Sequence, residues 1–142
     1  MESMTIQELS KKMKGIDICM LTTVSGAGVP ESRPMSNNGD VEYDGTSYFF
    51  TEDSTQMVDQ IKSNKKVGLS FIHPKLLGKT YIALSGEAKL IKDKAVMEKH
   101  WTKDLEIWFK DGLDTPGIVM IEVKAEHAKC WENSKESQVT LH

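Results

Sequence analysis

The stretch Val29-Pro30-Glu31-Ser32-Arg33-Pro34-Met35-Ser36-Asn37-Asn38-Gly39-Asp40 decides how the chain is read. Val29–Ser36 has the length of a strand, but Pro30 and Pro34 each remove a backbone donor. Such a strand belongs at a sheet edge or a bulge. Asn37-Asn38-Gly39-Asp40 then reads as a hairpin turn, because Asn and Gly tolerate positive φ. Downstream, Val41–Tyr43 and Thr46–Thr51 read as short strands around Asp44-Gly45. Upstream, Ile16–Val24 alternates Ile16, Ile18, Met20, Thr22 and Val24 on one face, and Ser25–Gly28 turns it into the Pro-containing strand.

Farther out, Thr5-Ile6-Gln7-Glu8 has the form of a capping box, with Ile6, Leu9 and Met13 at helical spacing behind it and Gly15 as a stop. Ser54 is read as opening a second helix, with Met57, Val58 and Ile61 on its apolar face. Val67–Ile72 and Lys79–Ile91 read as strands, the second broken by Gly86. Asp93–Phe109 reads as helix in two pieces and Gly117–Trp131 as a final long strand. Hairpin connections outnumber crossovers, so the fold expected is mainly β with peripheral helices. It is an antiparallel barrel of six or seven strands, closed or partly closed. One domain occupies residues 1–142, with a core of about 6–133 and a loose polar tail at 134–142.

Composition narrows the function classes. The chain has 142 residues, 27% charged and 39% hydrophobic, with a formal net charge of −3. The acidic balance argues against a general nucleic-acid binder. No apolar run is long enough for a bilayer, and the N-terminal stretch lacks a secretory pattern, so a cytoplasmic protein is expected. Cys19 and Cys130 sit in apolar segments and read as buried thiols of a reducing compartment. Of the 18 Lys and Arg residues only Arg33 is an arginine. A planar, forked guanidinium at that one place suggests carboxylate or phosphate chemistry.

Familiar catalytic sets are missing: no G-x-S-x-G elbow, P-loop, G-x-G-x-x-G or H-E-x-x-H occurs. His127 and Cys130 are three apart without a second ligand pair, so no metal site is expected. His73 precedes Pro74 and reads as a turn residue. His100 reads as a solvated helix residue. One constellation remains: Arg33-Pro34-Met35-Ser36, Tyr48-Phe49-Phe50-Thr51, and Ser54 at a helix start. A helix N-terminus offers N–H donors and a positive dipole end to a phosphate. Hydroxyls and Arg33 add to it, while strand edges near Met35 and Phe50 suit the polar rim of a planar ring. An ordinary hairpin with a capped helix behind it accounts for the same residue types.

Four blocks in order carry a resemblance: Gly28-Val29-Pro30-Glu31-Ser32-Arg33-Pro34-Met35; Tyr48-Phe49-Phe50-Thr51 with Ser54; Trp108-Phe109-Lys110-Asp111-Gly112 with Pro116; and Lys129-Cys130-Trp131-Glu132. Together they resemble the pyridoxamine 5'-phosphate oxidase-like FMN-binding split-barrel superfamily, in its general-stress-protein branch. The resemblance implies a homodimer with FMN at the subunit interface, FAD or riboflavin being variants of the same ligand. It implies Arg33, Pro34, Met35 and Ser36 along the isoalloxazine and ribityl side. Phe49, Phe50 and Thr51 would flank the ribityl phosphate, with Ser54 beside it. Trp131, and less directly Trp108, would come from the partner or cover the ring. Where the family places a phosphate-binding lysine two residues after the serine, this chain has Gln56. No arginine follows Arg33, so vitamin B6 oxidation is not expected. The implied activity is flavin-dependent oxidoreduction of an unidentified substrate. The alternatives are a non-catalytic flavin-binding stress-response protein and a barrel that has lost its cofactor.

Overall fold

The computed structural model describes residues 1–73 and 79–141. Eight strands and three short α-helices follow in order: β1 (Glu2–Thr5), α1 (Ile6–Met13), β2 (Ile18–Val24), β3 (Pro30–Ser36), β4 (Thr46–Glu52), α2 (Gln56–Ser63), β5 (Lys66–His73), β6 (Thr80–Ile91), α3 (Lys94–Glu98), β7 (Ile118–Glu132) and β8 (Lys135–Thr140). Two 3₁₀ turns, Lys103–Ile107 and Gly112–Asp114, lie between α3 and β7. Half of the capping box is formed: Thr5 Oγ1 accepts from the Glu8 backbone N–H at 3.1 Å, while Glu8 Oε1 accepts from the Thr5 hydroxyl rather than from its backbone N–H. No helix among the described residues is long and apolar enough to cross a membrane.

β7 organises the sheet. One of its edges pairs with β6 along nearly its full length. The other edge is shared: Ile118–Lys124 pair with β4, and Lys129–Glu132 pair with β8. From β6 the sheet continues through β5 and β2 to β3. The path β4-β7-β6-β5-β2-β3 is the split barrel, and β8 with β1 is an annex. Its main core unites Phe49 of β4, Leu21 of β2, Leu69 and Phe71 of β5, and Ile121 of β7 with Leu9, Met57 and Ile61 of the helices. A second apolar layer, Phe50, Met97, Ile118 and Met120, lies outside the barrel, where Trp101, Leu105 and Phe109 cover β4 and β7. Gly86 marks the bulge in β6, where the register with β7 shifts. A Cβ there would stand 2.0 Å from the Lys124 carbonyl oxygen, so only glycine lets the two strands approach.

Several local expectations are overturned. Val41–Tyr43 is not a strand, and Asn37–Asp40 is not a hairpin turn. β3 pairs with β2 and β4 with β7, so this loop joins two strands that are not partners. Its polar groups are taken by the α1–β2 junction instead. Asn37 N–H donates to the Asp17 carbonyl at 2.6 Å, and Asn37 Nδ2 to the Ile16 carbonyl at 2.7 Å. Gly39 is needed for that approach, since a Cβ on it would sit 2.8 Å from the Ile16 backbone.

In β2 the core face is Cys19, Leu21 and Thr23, not the face of Ile18 and Met20. The loose tail is also corrected. Asn133 and Ser134, with φ of 52° and 66°, form a two-residue turn that lets β8 pair back on β7. β1 then pairs with β8, the one parallel pair among the described residues. The described residues therefore form eight strands. His73 ends β5, and Pro74 lies outside the described residues.

Candidate functional site

The strand order leaves β3 and β4 each with one edge that has no strand partner among the described residues. Each edge presents unpaired backbone donors and acceptors, the groups a planar heterocycle with a polar rim can use. A cleft of about 200 Å³ opens between the end of β3 and β4, lined by Ser36, Asn37, Tyr48, Phe49, Phe50 and His100 among others. Phe49 is 1% exposed and belongs to the barrel core. Phe50 faces the outer layer, with the Trp101 ring edge-on to it at 5.0 Å. β4 thus offers a backbone edge to the cleft rather than two aromatic faces.

Arg33 lies at the middle of β3 and turns back over β2. Its Nη1 donates to Thr23 Oγ1 at 2.6 Å, the Glu31 carbonyl at 3.1 Å and the Leu21 carbonyl at 3.4 Å. Nη2 has two long contacts, 3.5 Å to Gln60 Oε1 and 4.0 Å to Glu31 Oε2. Nε makes no hydrogen bond among the described residues, so the Nε–Nη2 edge of the guanidinium is only loosely held. Pro34 is exposed, whereas Met35 and Ser36 are half-buried, with Met35 against the main core.

α2 follows β4 directly and is capped by Thr55, not opened by Ser54. Thr55 Oγ1 accepts from the Val58 N–H at 3.3 Å. Ser54 precedes the cap and is exposed, Gln56 is the first helical residue and exposed, and Thr51 is half-buried at the end of β4. Counting two residues from the capping hydroxyl reaches Met57, which is buried, so neither register brings a lysine to the first turn. If the first turn of α2 meets a flavin phosphate, Gln56→Lys is expected to tighten FMN by about three- to tenfold and riboflavin hardly at all, the gain of a charge-assisted bond. Paired titrations of the two flavins check it, and equal gains would turn position 56 away from the phosphate.

Trp131 does not join this group within one chain. It faces Tyr81 of β6 and Glu136 of β8, while Ser36 pairs with Ile18 of β2. On β7, Trp131 lies in the segment that pairs with β8, whereas β4 and its cleft stand beside the opposite end, Ile118–Lys124; along the sheet β2, β5 and β6 lie between β3 and β7. Between them the outer face carries exposed Ile18, Met20, Ile72 and Tyr81. Trp108 is 69% exposed on the far side of the outer layer.

Two features are not apparent from the sequence. Gln60 and Thr23 are buried polar partners of Arg33. The polar Gln60 on the apolar face of Met57 and Ile61 was the available signal. Tyr48 and His100 stack with ring centroids 3.5 Å apart, so His100 lines the cleft instead of standing in solvent. His127 is exposed while Cys130 is buried on the opposite face of β7. Burial pushes the Cys19 thiol up to about 12 and raises that of Cys130. Neither is a thiolate nucleophile at neutral pH.

An open antiparallel sheet curled so that β3 and β4 are both edge strands among the described residues, with an arginine on the first and a capped helix after the second, is a split barrel. Residues 4–142 match the family described as Pyridoxamine 5'-phosphate oxidase like, and the chain belongs to that family. Within it, the similarity runs to general stress protein 26 of Bacillus subtilis: 28% identity over 117 residues, covering 81% of this chain and 83% of that protein. A crystal structure of a related protein from Clostridium acetobutylicum superposes with a TM-score of 0.78 at 24% identity, covering 94% of this chain and 92% of that one. A pyridoxamine 5'-phosphate oxidase-related, FMN-binding protein from Nostoc punctiforme superposes with a TM-score of 0.68 at 16% identity, covering 86% and 77%. At these identities the two structures establish the fold.

Proposed function

We propose that this protein is a homodimeric FMN-binding protein that carries out flavin-dependent oxidoreduction on a small molecule. The observation that carries the reading is the cleft between the end of β3 and β4, two strand edges without a strand partner among the described residues, with Arg33 on the first strand and α2 following the second. The residues fit FMN in kind. Arg33, Thr51, Ser54 and the α2 N-terminus would hold the phosphate, with Gln56 at the rim. The backbone beside Pro34, Met35, Ser36 and Phe50 would meet the ring. Bound flavin supplies reversible electron transfer, and the protein supplies binding, orientation and hydrogen bonds around the ring.

The outer face supports the dimer. Ile18, Met20, Ile72 and Tyr81 leave an apolar strip next to the ring-binding edge, and covering it removes apolar surface from water. A second copy on that strip is also how Trp131 would reach a site that it does not join within one chain. The proposal places the protein in the cytoplasm, where free thiols such as Cys19 and Cys130 persist.

A second reading, a non-catalytic flavin-binding stress protein, is favoured by one observation: Arg33 is the sole arginine and no lysine stands in the first turn of α2. The substrate arginines of a pyridoxamine-phosphate oxidase have no counterpart after Arg33.

The test is a visible absorbance spectrum of purified protein before and after FMN addition and desalting, with the mass in solution measured on the same sample. A retained flavin band on a dimer is expected. A colourless protein that cannot be loaded would sink the proposal and leave the barrel without its cofactor. NAD(P)H turnover above that of free FMN separates the enzyme from the storage reading.

A further inference from the structure

Behind Arg33 lies a polar network whose directions are set by chemistry. A guanidinium has only donors. Arg33 Nη1 therefore donates to Thr23 Oγ1, and the Thr23 proton goes on to Gln60 Oε1. That orients the amide, so Gln60 Nε2 donates to Glu31 Oε2 at 2.7 Å. Thr23 is 0% and Gln60 6% exposed, so the two central members are out of water.

Glu31 and Arg33 are two residues apart on β3 and share a face. A carboxylate and a guanidinium in that relation can close into a short bidentate pair. Here they do not: Glu31 Oε2 stands 4.0 Å from Arg33 Nη2. The Gln60 amide takes the carboxylate oxygen instead.

We propose that Gln60, anchored by Thr23, is a positioning residue that holds Glu31 away from Arg33. It thereby leaves Nε free and Nη2 held only by long contacts, 3.5 Å to Gln60 and 4.0 Å to Glu31, so that a phosphate can take that edge. The inference rests on the reading of the site as a flavin-phosphate site, and it adds the device that keeps the single arginine unspent. Gln60 touches neither phosphate nor ring. It acts through Glu31 and Arg33, so its effect must be specific to the phosphate-bearing ligand.

The experiment titrates FMN and riboflavin, by quenching of flavin fluorescence, into the wild-type protein, Gln60→Leu, Glu31→Gln and the double variant at one salt concentration. Gln60→Leu lets Glu31 fall onto Arg33 and raises the FMN dissociation constant about tenfold. Riboflavin stays within about twofold. Glu31→Gln tightens FMN about threefold without moving riboflavin, and the double variant returns FMN to within about threefold of wild type, because the competing carboxylate is gone. Equal losses for both ligands in Gln60→Leu, or no recovery in the double variant, overturn the proposal. If Gln60→Leu does not fold, Glu31→Gln decides, and an unchanged ratio of FMN to riboflavin affinity refutes it. A wild-type protein that binds neither flavin removes the flavin reading and this inference together. One that binds FMN with ratios untouched by the variants removes only the role of Gln60.

Discussion

Phe49→Ala is expected to destabilise the protein by about 3–5 kcal/mol, the cost of deleting a buried aromatic ring and leaving its cavity. Phe49 is 1% exposed and sits where β4, the strand before α2, meets the rest of the barrel core. A loss of this size is a large share of the stability of a domain this small. Urea titration followed by tryptophan fluorescence should show a lower midpoint with little change in slope, and Phe49→Leu should recover most of the loss. Phe50→Ala is the control. Phe50 packs in the outer layer against Trp101, so its loss acts on the α3 side of the sheet. A Phe49→Ala penalty below that of Phe50→Ala would mean the two rings had been assigned to the wrong layers.

Arg33→Ala should weaken FMN by about 1.5–3 kcal/mol, the worth of a charged hydrogen bond, or roughly 10- to 150-fold in the dissociation constant. The effect should be smaller for riboflavin, which lacks the phosphate, and it should shrink with added salt. Arg33→Lys keeps the charge but loses the fork, so it should recover only part of the affinity. The internal partners of Arg33 sharpen the comparison. The alanine variant leaves Thr23 and Gln60 paired with each other and Gln60 with Glu31, so the network behind the arginine survives. Unchanged FMN affinity in Arg33→Ala would take this arginine out of the site.

Much of the fold was legible because its signals are local. Thr5 caps α1 whatever the rest of the chain does, and Pro30 and Pro34 confine β3 to an edge because they lack donors. Gly86 broke a strand in the sequence and breaks a register in the sheet. The misread elements depend on distant partners. The Asn37–Asp40 turn is sound hairpin chemistry, yet its amides are claimed by Asp17 and Ile16. The polar tail has little reason to be a strand alone. It becomes one because Asn133 and Ser134 both take positive φ and β7 still has an unpaired edge past Lys124.

The candidate site divides in the same way. Arg33 stood out in the sequence as the only arginine, and the passage from strand to helix between Phe50 and Gln56 was visible as well. That Thr55 rather than Ser54 caps the helix depends on backbone angles that residue types do not separate. By itself the sequence determined the antiparallel class, the edge position of β3, and the place of the single arginine, since these follow from periodicity, proline chemistry and composition. Only the tertiary structure decided that β3 and β4 both keep a free edge, that Ile18 and Met20 face outward, and that Gln60 and Thr23 stand behind Arg33. Each of these is a contact between residues far apart in the chain, settled by strand pairing and the filling of one core, to which local propensity is blind.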